Sequence, residues 1–230
     1  MKIAIIPARG GSQRIPRKNI KTFNGKAAIA YPIEAARASG CFDRVIVSTD
    51  DDEIADVARA HGAEVPFRRP RALADEHTTT IAVIQHAIGE LSVSEAAPEW
   101  VCCIYATALF LVPEDLRRGW EMLAEQGSDF AFSVTSYAFP IQRAIRMTHA
   151  GRVAMFQPEH MATRSQDLEP AYHDAGQFYW GRAEAFQAGK PLFSSASVPV
   201  VLPRYRVQDI DTPEDWVAAE LMHHALAATR

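Results

Sequence analysis

The sequence predicts an α/β fold built on a mostly parallel sheet. Short apolar runs that suit buried strands alternate with segments that suit helices, from residue 2 to about residue 135. Repeated strand-helix-strand units imply parallel strands joined by right-handed crossovers. The chain has 230 residues and 48% hydrophobic content, enough to bury a large core. We therefore expect one domain over residues 1–230.

The predicted elements follow one another in a regular order. Strands are predicted at residues 2–7, 44–49, 63–67, 100–105 and 130–135, and a final pair at 198–202 and 205–209. Helices are predicted at residues 28–38, about 50–62 and 78–91, at a segment starting at Pro113, and at a terminal segment with Thr212 as N-cap and Pro213 as first residue. Residues 137–180 are aromatic-rich and irregular, which indicates a β-rich cap or dimerisation arm.

Composition excludes some classes of protein. A net charge of −4 and a pI near 6.1 give no broad surface for nucleic acid. The three cysteines are expected to be reduced and buried, with Cys102 and Cys103 on opposite faces of one strand. The sequence shows no secretory h-region and no apolar run that would span a bilayer, so we expect a cytoplasmic protein without a membrane partner.

A cationic loop (residues 8–21) follows the first strand. It holds five cations between Arg9 and Lys21 and no carboxylate, although the whole chain is acidic. Gly10 and Gly11 allow a tight turn and bring backbone amides close to a ligand. A solvated surface loop is the alternative, but ligands of open α/β sheets bind where strands end. The loop therefore predicts a polyanion, with a triphosphate as the natural candidate.

A second pattern, Asp209-Ile-Asp211, lies near the other end of the chain. On an extended segment, side chains two residues apart project to the same side. Two such carboxylates suit magnesium, which takes oxygen ligands and often bridges to phosphates. Asp211 could instead only support the start of the last helix.

These segments carry a resemblance to a known family. The sequence PARGGSQRIPRKN at residues 7–19 and DIDT at residues 209–212 resemble the motifs of the cytidylyltransferases that activate nonulosonic acids with CTP. The resemblance covers nearly the whole chain and implies a Rossmann-like fold of the nucleotide-diphospho-sugar transferase type. It implies a magnesium-dependent enzyme and a homodimer. Gln13 stands where family members often have Lys.

The resemblance assigns roles to residues of these two segments and of residues 69–80. It implies Arg9, Lys18 and Asp211 as catalytic and Asp209 and Asp211 as metal ligands. Arg69, Arg71 and Asn19 would read the cytosine, and Arg9, Arg14, Arg17, Lys18 and Lys21 would share the phosphate charge. Thr79 and Thr80 could touch the nucleotide or only begin a helix. The implied nucleotide-binding residues are Ala8, Arg9, Gly10, Gly11, Ser12, Arg14, Lys18, Asn19, Arg69, Thr79 and Thr80.

Other segments resemble the branch that acts on pseudaminic acid. They are YATAL at 105–109, FPIQR at 139–143, RSQD at 164–167, HDAG at 173–176 and QFYW at 177–180, with Leu109 in place of a common Pro. An acidic sugar needs cationic or amide partners beside apolar pockets. The implied sugar-binding residues are Tyr105, Thr107, Gln142, Arg143, Arg164, His173, Asp174, Gln177 and Tyr179.

The expected reaction couples CTP to pseudaminic acid and gives CMP-pseudaminic acid and pyrophosphate. The anomeric hydroxyl would attack the α-phosphorus in line, for use in flagellin or cell-surface glycan synthesis. The general base stays open between a carboxylate, His173 and a water held by the metal. Two alternatives stay open as well: another nonulosonic acid, such as sialic or legionaminic acid, or a module that binds CTP without turning it over.

Overall fold

A six-stranded sheet forms the centre of the molecule. The computed structural model describes residues 1–94 and 97–228, and within these ranges the chain forms ten strands and six α-helices. The strands are β1 (Lys2–Pro7), β2 (Thr22–Phe23), β3 (Lys26–Ala27), β4 (Arg44–Ser48), β5 (Trp100–Ile104), β6 (Phe130–Ser136), β7 (Ile145–Met147), β8 (Val153–Met155), β9 (Tyr172–Arg182) and β10 (Ser197–Val201). The helices are α1 (Ala30–Ser39), α2 (Asp52–Ala60), α3 (Thr80–Ser94), α4 (Pro113–Gln126), α5 (Ala183–Gln187) and α6 (Pro213–Ala227).

The central sheet is mostly parallel, as the sequence predicts. Its strand order is β10-β6-β9-β5-β1-β4, and β9 is the strand that runs antiparallel to both of its neighbours. Alternate residues of β1 enter different cores: Ile5 packs on one face of the sheet and Ile6 on the other. Cys102 and Cys103 of β5 divide between the two faces in the same way, and both thiols are free and buried.

Helices cover both faces of the sheet. Helices α1, α2 and α4 pack on one face, and α3 and α5 pack on the other. The predicted apolar face of α3 is confirmed, because Ile84, Ala87, Ile88 and Leu91 are buried and Ile81 is partly buried. Helix α6 packs on the β2–β3 hairpin through Trp216 and Phe23. Its predicted start is also confirmed, since Thr212 is the N-cap, Pro213 is the first helical residue, and Thr212 forms a reciprocal capping box with Asp215.

Two predicted strands do not form. Residues 63–67 contribute a single bridge between Ile46 and Glu64, and Pro66 lacks the amide that a longer ladder would need. Residues 205–209 begin instead with the short 3-10 helix Arg204–Arg206 and continue without a ladder. The β2–β3 hairpin was not predicted, because each of its strands has two residues and shows no periodicity.

The predicted arm is shorter than residues 137–180. Residues 172–180 belong to β9 and lie in the central sheet, so the excursion comprises residues 137–171. We call residues 137–171 the arm. It holds the β7–β8 hairpin and exposes large apolar side chains, including Phe139 (82% exposed) and Met147 (84% exposed). Among the described helices, none combines the length and the apolar character that crossing a bilayer requires.

The packing of α4 on the sheet generates a prediction about Gly119. A Cβ at this position would lie 2.8 Å from the Phe178 ring and 3.0 Å from the Trp180 ring, and both rings are fully buried. Gly119→Ala should therefore lower the free energy of unfolding by about 1–3 kcal/mol, despite the better helix propensity of alanine. Urea unfolding measures this change.

Gly89 of α3 is the matched control. A Cβ there meets no atom within 4 Å outside its own helix. Gly89→Ala should raise the free energy of unfolding by up to about 1 kcal/mol. Equal effects of the two substitutions would contradict the close packing of α4.

Candidate active site

The second strand-helix unit fixes the start of the cationic loop. The Ala8 amide donates to the Ser48 carbonyl at 2.9 Å, and the Gly10 amide donates to the Asp50 carboxylate at 3.0 Å. A Cβ at position 10 would lie 2.7 Å from Oδ2 of Asp51, so a larger residue would collide with this carboxylate. The acidic residues that open α2 therefore hold the loop as well as the helix.

Arg17 holds the other side of the loop and does not line the cavity described below. Its backbone is left-handed, with φ 55°, and its guanidinium donates to Asp51 and Glu53. The hydrogen bond from Arg17 lowers the pKa of the Asp51 carboxyl to about 2. Asp51 also caps α2 by accepting from the Ile54 amide at 2.9 Å. The expectation that Arg17 shares the phosphate charge is corrected, because its charge is already balanced.

The expectation that Lys21 shares the phosphate charge is corrected as well. Its Nζ lies 4.2 Å from the centre of the Trp216 ring, in a cation-π contact with α6. Lys21 is exposed and does not line the cavity described below. The cations of the loop that do line the cavity are Arg9, Arg14 and Lys18.

A cavity of about 260 Å³ lies at the carboxyl ends of β1 and β5. Ten of the residues predicted for the site line it: Arg9, Ser12, Arg14, Lys18, Asn19, Arg69, Thr80, Tyr105, Thr107 and Asp211. The wall combines loop cations, hydroxyls and one carboxylate of the aspartate segment, by which we mean residues 207–212. This position at the strand ends is the place that open α/β sheets give to their ligands.

The two ends of the chain meet at this cavity. Arg14 Nη2 donates to Asp211 Oδ1 at 2.9 Å across a separation of 197 residues. Lys18 Nζ lies 3.6 Å from the same oxygen and donates to the Ile210 carbonyl. The hypothesis that the glycine-bearing loop and the paired aspartates share one crevice is therefore confirmed for Asp211.

Asp209 lies beside the cavity rather than on its wall. Its side chain is exposed, and its Cγ lies 3.9 Å from where a Cβ of Gly176 would stand. Partial loss of hydration and the neighbouring Asp211 carboxylate raise the pKa of Asp209, whereas Lys18 acts in the opposite direction. The two carboxylates are thus close enough to interact, although the segment that carries them is not a strand.

Asp209 and Asp211 carry the kind of oxygen donors that a magnesium ion takes. Magnesium takes oxygen ligands and is commonly bound by one or two carboxylates together with substrate phosphates. In residues 1–94 and 97–228, no cluster of three or more His, Cys, Asp or Glu side chains could hold a metal. Within those ranges, Asp209 and Asp211 are thus two neighbouring carboxylates and not a complete protein ligand set.

Two predicted readers of the base are held by the protein itself. Arg69 is 4% exposed, donates from Nε to Ser48 Oγ at 3.2 Å and bonds the Ser48 carbonyl, and burial lowers its pKa to about 10. Asn19 is buried and donates from Nδ2 to the Arg9 carbonyl at 2.9 Å. Arg69 and Asn19 also line the cavity. Arg71 is exposed on the short 3-10 helix Arg71–Leu73 and does not line it.

Of the remaining residues predicted to bind the nucleotide, Ser12 and Thr80 line the cavity. Ala8, Gly10 and Gly11 belong to the loop backbone and do not line the cavity. The Thr79 hydroxyl accepts from the Ala82 amide at 3.3 Å at the start of α3. Thr79 therefore follows the helix-start alternative, while Thr80 reaches the cavity.

Most predicted sugar residues lie away from this cavity within the described chain. On the arm, Gln142 donates to the Glu169 carbonyl at 2.9 Å, Arg143 to Ser165 at 3.3 Å and Arg164 to Asp167 at 2.7 Å. These contacts are local, so the prediction that the three residues face the sugar is not met within one chain. Tyr105 and Thr107 are the sugar residues that line the cavity.

Strand β9 carries the other predicted sugar residues as a connected network. Asp174 accepts from Tyr179 Oη at 2.7 Å and from the Gly176 amide at 2.8 Å, and its backbone oxygen lies 2.9 Å from Nδ1 of His173. The ring centres of Tyr179 and Tyr105 are 5.2 Å apart. Tyr179 and Asp174 thus reach the cavity through Tyr105.

Gln177 is corrected from a sugar contact to a buried support. It is 3% exposed, and its Nε2 donates to the Arg206 carbonyl at 2.6 Å.

Sequence reasoning missed a largely acidic part of the wall. Asp75, Glu76, Thr78 and Val83 line the cavity beside Arg69. Their signal was weak, because carboxylates next to a phosphate pocket oppose simple charge complementarity. Gln13 also lines the cavity, so the family departure keeps a polar side chain there. Leu109 is instead buried in the core beneath α6.

Comparison with known proteins supports a common family. Residues 3–218 match the family model described as "Cytidylyltransferase". The chain is 45% identical over 221 residues to a pseudaminic acid cytidylyltransferase of Campylobacter jejuni, covering 96% of this chain and 95% of the relative. It is 32% identical to a CMP-N,N'-diacetyllegionaminic acid synthase of Legionella pneumophila, with 95% and 94% covered.

Solved structures support the fold. A CMP:2-keto-3-deoxy-manno-octonic acid synthetase complexed with CTP superposes with a TM-score of 0.70 at 15% identity, covering 97% of this chain and 98% of that chain. This likeness confirms the predicted fold class of a nucleotidyltransferase with a mostly parallel sheet.

The Arg17–Asp51 pair generates a pH-dependent prediction. Arg17→Gln should let the pKa of Asp51 rise from about 2 toward its ordinary value near 3.9. Because the pKa in the folded state is depressed, the pair stabilises the protein above about pH 4 and loses its effect as the pH falls toward 2. Urea unfolding should show a deficit of about 1 kcal/mol at pH 7 that shrinks below pH 4, since the pair is partly exposed.

Arg59→Gln is the matched control for this prediction. Arg59 pairs with Asp56 on the exposed side of the same helix, at 3.1 Å. Its loss should change stability by less than about 0.5 kcal/mol at every pH. An unchanged unfolding free energy in Arg17→Gln would show that the loop does not depend on this pair.

Proposed function

The chain belongs to the cytidylyltransferase family, and from that premise we propose that it couples CTP to pseudaminic acid. The products are CMP-pseudaminic acid and pyrophosphate. The observation that carries the proposal is the contact of Arg14 and Lys18 with Asp211 on one cavity, which joins cations for a triphosphate to a carboxylate for its metal. The 45% identity to the Campylobacter enzyme supports the choice of sugar.

Different residues of the cavity bind different parts of the nucleotide. Arg9, Arg14 and Lys18 bind the phosphates, together with the Ser12 hydroxyl at the turn after the glycines. Arg69 and Asn19 are fixed by contacts to Ser48 and to the Arg9 carbonyl, so they present a rigid surface to the base. A rigid donor set needs no reorganisation on binding, which favours both affinity and selectivity.

The reaction is a displacement at the α-phosphorus. The anomeric oxygen forms a bond to phosphorus, the bond from phosphorus to the bridging oxygen of the β-phosphate breaks, and pyrophosphate leaves with the electron pair. The proton of the attacking hydroxyl passes to a base. Arg14 and Lys18 stabilise the charge that develops on the leaving group, so catalysis rests on alignment and electrostatics.

We propose magnesium as the cofactor of this reaction, held by Asp209 and Asp211. Held by these two carboxylates, it would offset negative charge on the phosphates. Arg14 and Lys18 engage Oδ1 of Asp211. The remaining carboxylate oxygens are the ones that we assign to the ion.

We propose that the protein acts as a homodimer in the cytoplasm, where CTP is available. The arm supports this proposal, because Phe139, Met147 and Val153 expose large apolar surfaces that an isolated chain leaves in water. Arg143 and Arg164 would then meet the sugar at the partner's cavity. The product would serve glycan synthesis, such as flagellin decoration.

A pyrophosphate-release assay tests the substrate. The purified protein should release pyrophosphate with CTP, magnesium and pseudaminic acid, and at least about 100-fold more slowly with sialic or legionaminic acid, since a site built to bond one substituent rejects another. ATP in place of CTP is the control for the base. Turnover only with sialic or legionaminic acid would overturn the sugar assignment, and tight CTP binding without any turnover would favour a binding module.

Asp211→Ala tests the metal-binding carboxylate. Turnover should fall about 100-fold or more, because the charge that stabilises the transition state loses its anchor. Calorimetry with CTP in the absence of metal should still detect binding through Arg9 and Lys18. Glu214→Gln, on an exposed acid three residues later, should leave turnover unchanged. Full activity of Asp211→Ala would refute the metal role.

A further inference from the structure

Asp115 is a buried acid that the reaction does not use. It is 4% exposed and is the one buried Asp or Glu among residues 1–94 and 97–228. It lies in the first turn of α4, where the helix dipole favours a negative charge. A carboxylate at such a depth is costly unless it is paired, so its partners indicate its role.

The main partner of Asp115 is Arg206, which lies just before the aspartate segment. Arg206 Nη1 donates to Asp115 Oδ2 at 2.6 Å, and the Arg206 side chain is 17% exposed. Arg118 approaches the other carboxylate oxygen at 3.3 Å from the surface. Asp115 therefore joins helix α4 to the chain that leads to Asp211.

That stretch of chain is held by side chains and not by a backbone ladder. Residues 207–210 belong to neither helix nor strand. Ile210 is fully buried beneath α6, and its carbonyl accepts from Lys18. The Gln177 side chain donates to the Arg206 carbonyl at 2.6 Å, and the Asp211 amide donates to the Asp215 carboxylate at 3.0 Å. The guanidinium of Arg206 adds the buried ion pair that ties the start of this segment to helix α4.

We propose that the Asp115–Arg206 pair positions the aspartate segment, so that Asp115 and Arg206 are positioning residues for the cytidylyl transfer. A buried pair resists displacement, because separating it would leave an uncompensated charge in the interior. Rigid support within about 1 Å matters to a site that works by alignment. The pair acts through the backbone between Arg206 and Asp211 and touches no substrate.

The effect on turnover rests on the proposed function, but the effect on the segment does not. The first measurement is therefore hydrogen exchange of the ligand-free protein. Asp115→Asn should speed amide exchange in residues 207–212 by about 10-fold or more, while β1 and β5 exchange as in the wild type. Unchanged exchange in residues 207–212 would overturn the proposal, whatever the enzyme activity.

The second measurement separates positioning from binding. With CTP, sugar and magnesium, Asp115→Asn should lower kcat about 10- to 100-fold, because a misplaced Asp211 acts mainly in the transition state. The Kd for CTP without metal should change less than about 3-fold, since the loop cations stay in place. Arg206→Lys should recover part of the loss that Arg206→Gln causes. A loss confined to CTP affinity would contradict positioning.

A double variant and a control complete the test. Asp115→Asn with Arg206→Gln should lose no more kcat than the worse single variant, because the pair acts as one unit. Arg117→Gln removes a partly exposed arginine of the same helix, which pairs with Glu114 at 2.6 Å and donates to the Ser39 carbonyl at 3.0 Å, and should change neither the exchange of residues 207–212 nor kcat. Multiplicative losses in the double variant, or faster exchange of the whole chain, would assign the pair to general stability. An inactive wild type would refute the proposed function, and the exchange data would still decide the pair.

Discussion

Charge compensation around the cationic loop is the constraint on which the site depends. The loop gathers its cations in a chain that is otherwise acidic, and each face of the loop meets carboxylates from a distant part of the sequence. Asp51 neutralises Arg17 on the outer side, and Asp211 faces Arg14 on the cavity side. The outer pair is structural and permanent. The inner pair is half-exposed, so water and anions can reach Arg14 and Asp211.

Much of this arrangement is readable in the sequence, because it follows from short-range rules. The strands β1, β4, β5 and β6 are compact apolar runs, and the capping box at Thr212 is a local pattern. The position of the loop follows from the parallel sheet, whose strand ends share one edge. What the sequence does not reveal is which cations face outward. Arg14 and Arg17 are the same residue type in the same loop. Only the pairing of Arg17 with Asp51, at the start of α2, distinguishes them.

The errors share one physical cause, which is dependence on long-range partners. Residues 205–209 have strand-like composition, but β10 ends at Val201 and the Asp115–Arg206 pair directs the chain elsewhere. Residues 172–180 look irregular beside the arm, yet they become the antiparallel strand β9 because β5 and β6 leave a gap between them. Gln177 is predicted to contact the sugar because it is polar, but its side-chain amide donates to the Arg206 carbonyl.

Strand β9 runs from the arm, past the side of the cavity, into the core. It leaves the arm at Tyr172, passes Asp174 and Gly176 beside Tyr105 and Asp209, and reaches the core at Trp180. Gly176 has φ 61°, and a Cβ at this position would lie 3.9 Å from both Tyr105 and Asp209. Because β9 is bonded to β5 and β6 over most of its length, a displacement of the arm must act on a rigid strand. The strand therefore connects the end of the arm directly to the residues beside Tyr105 and Asp209.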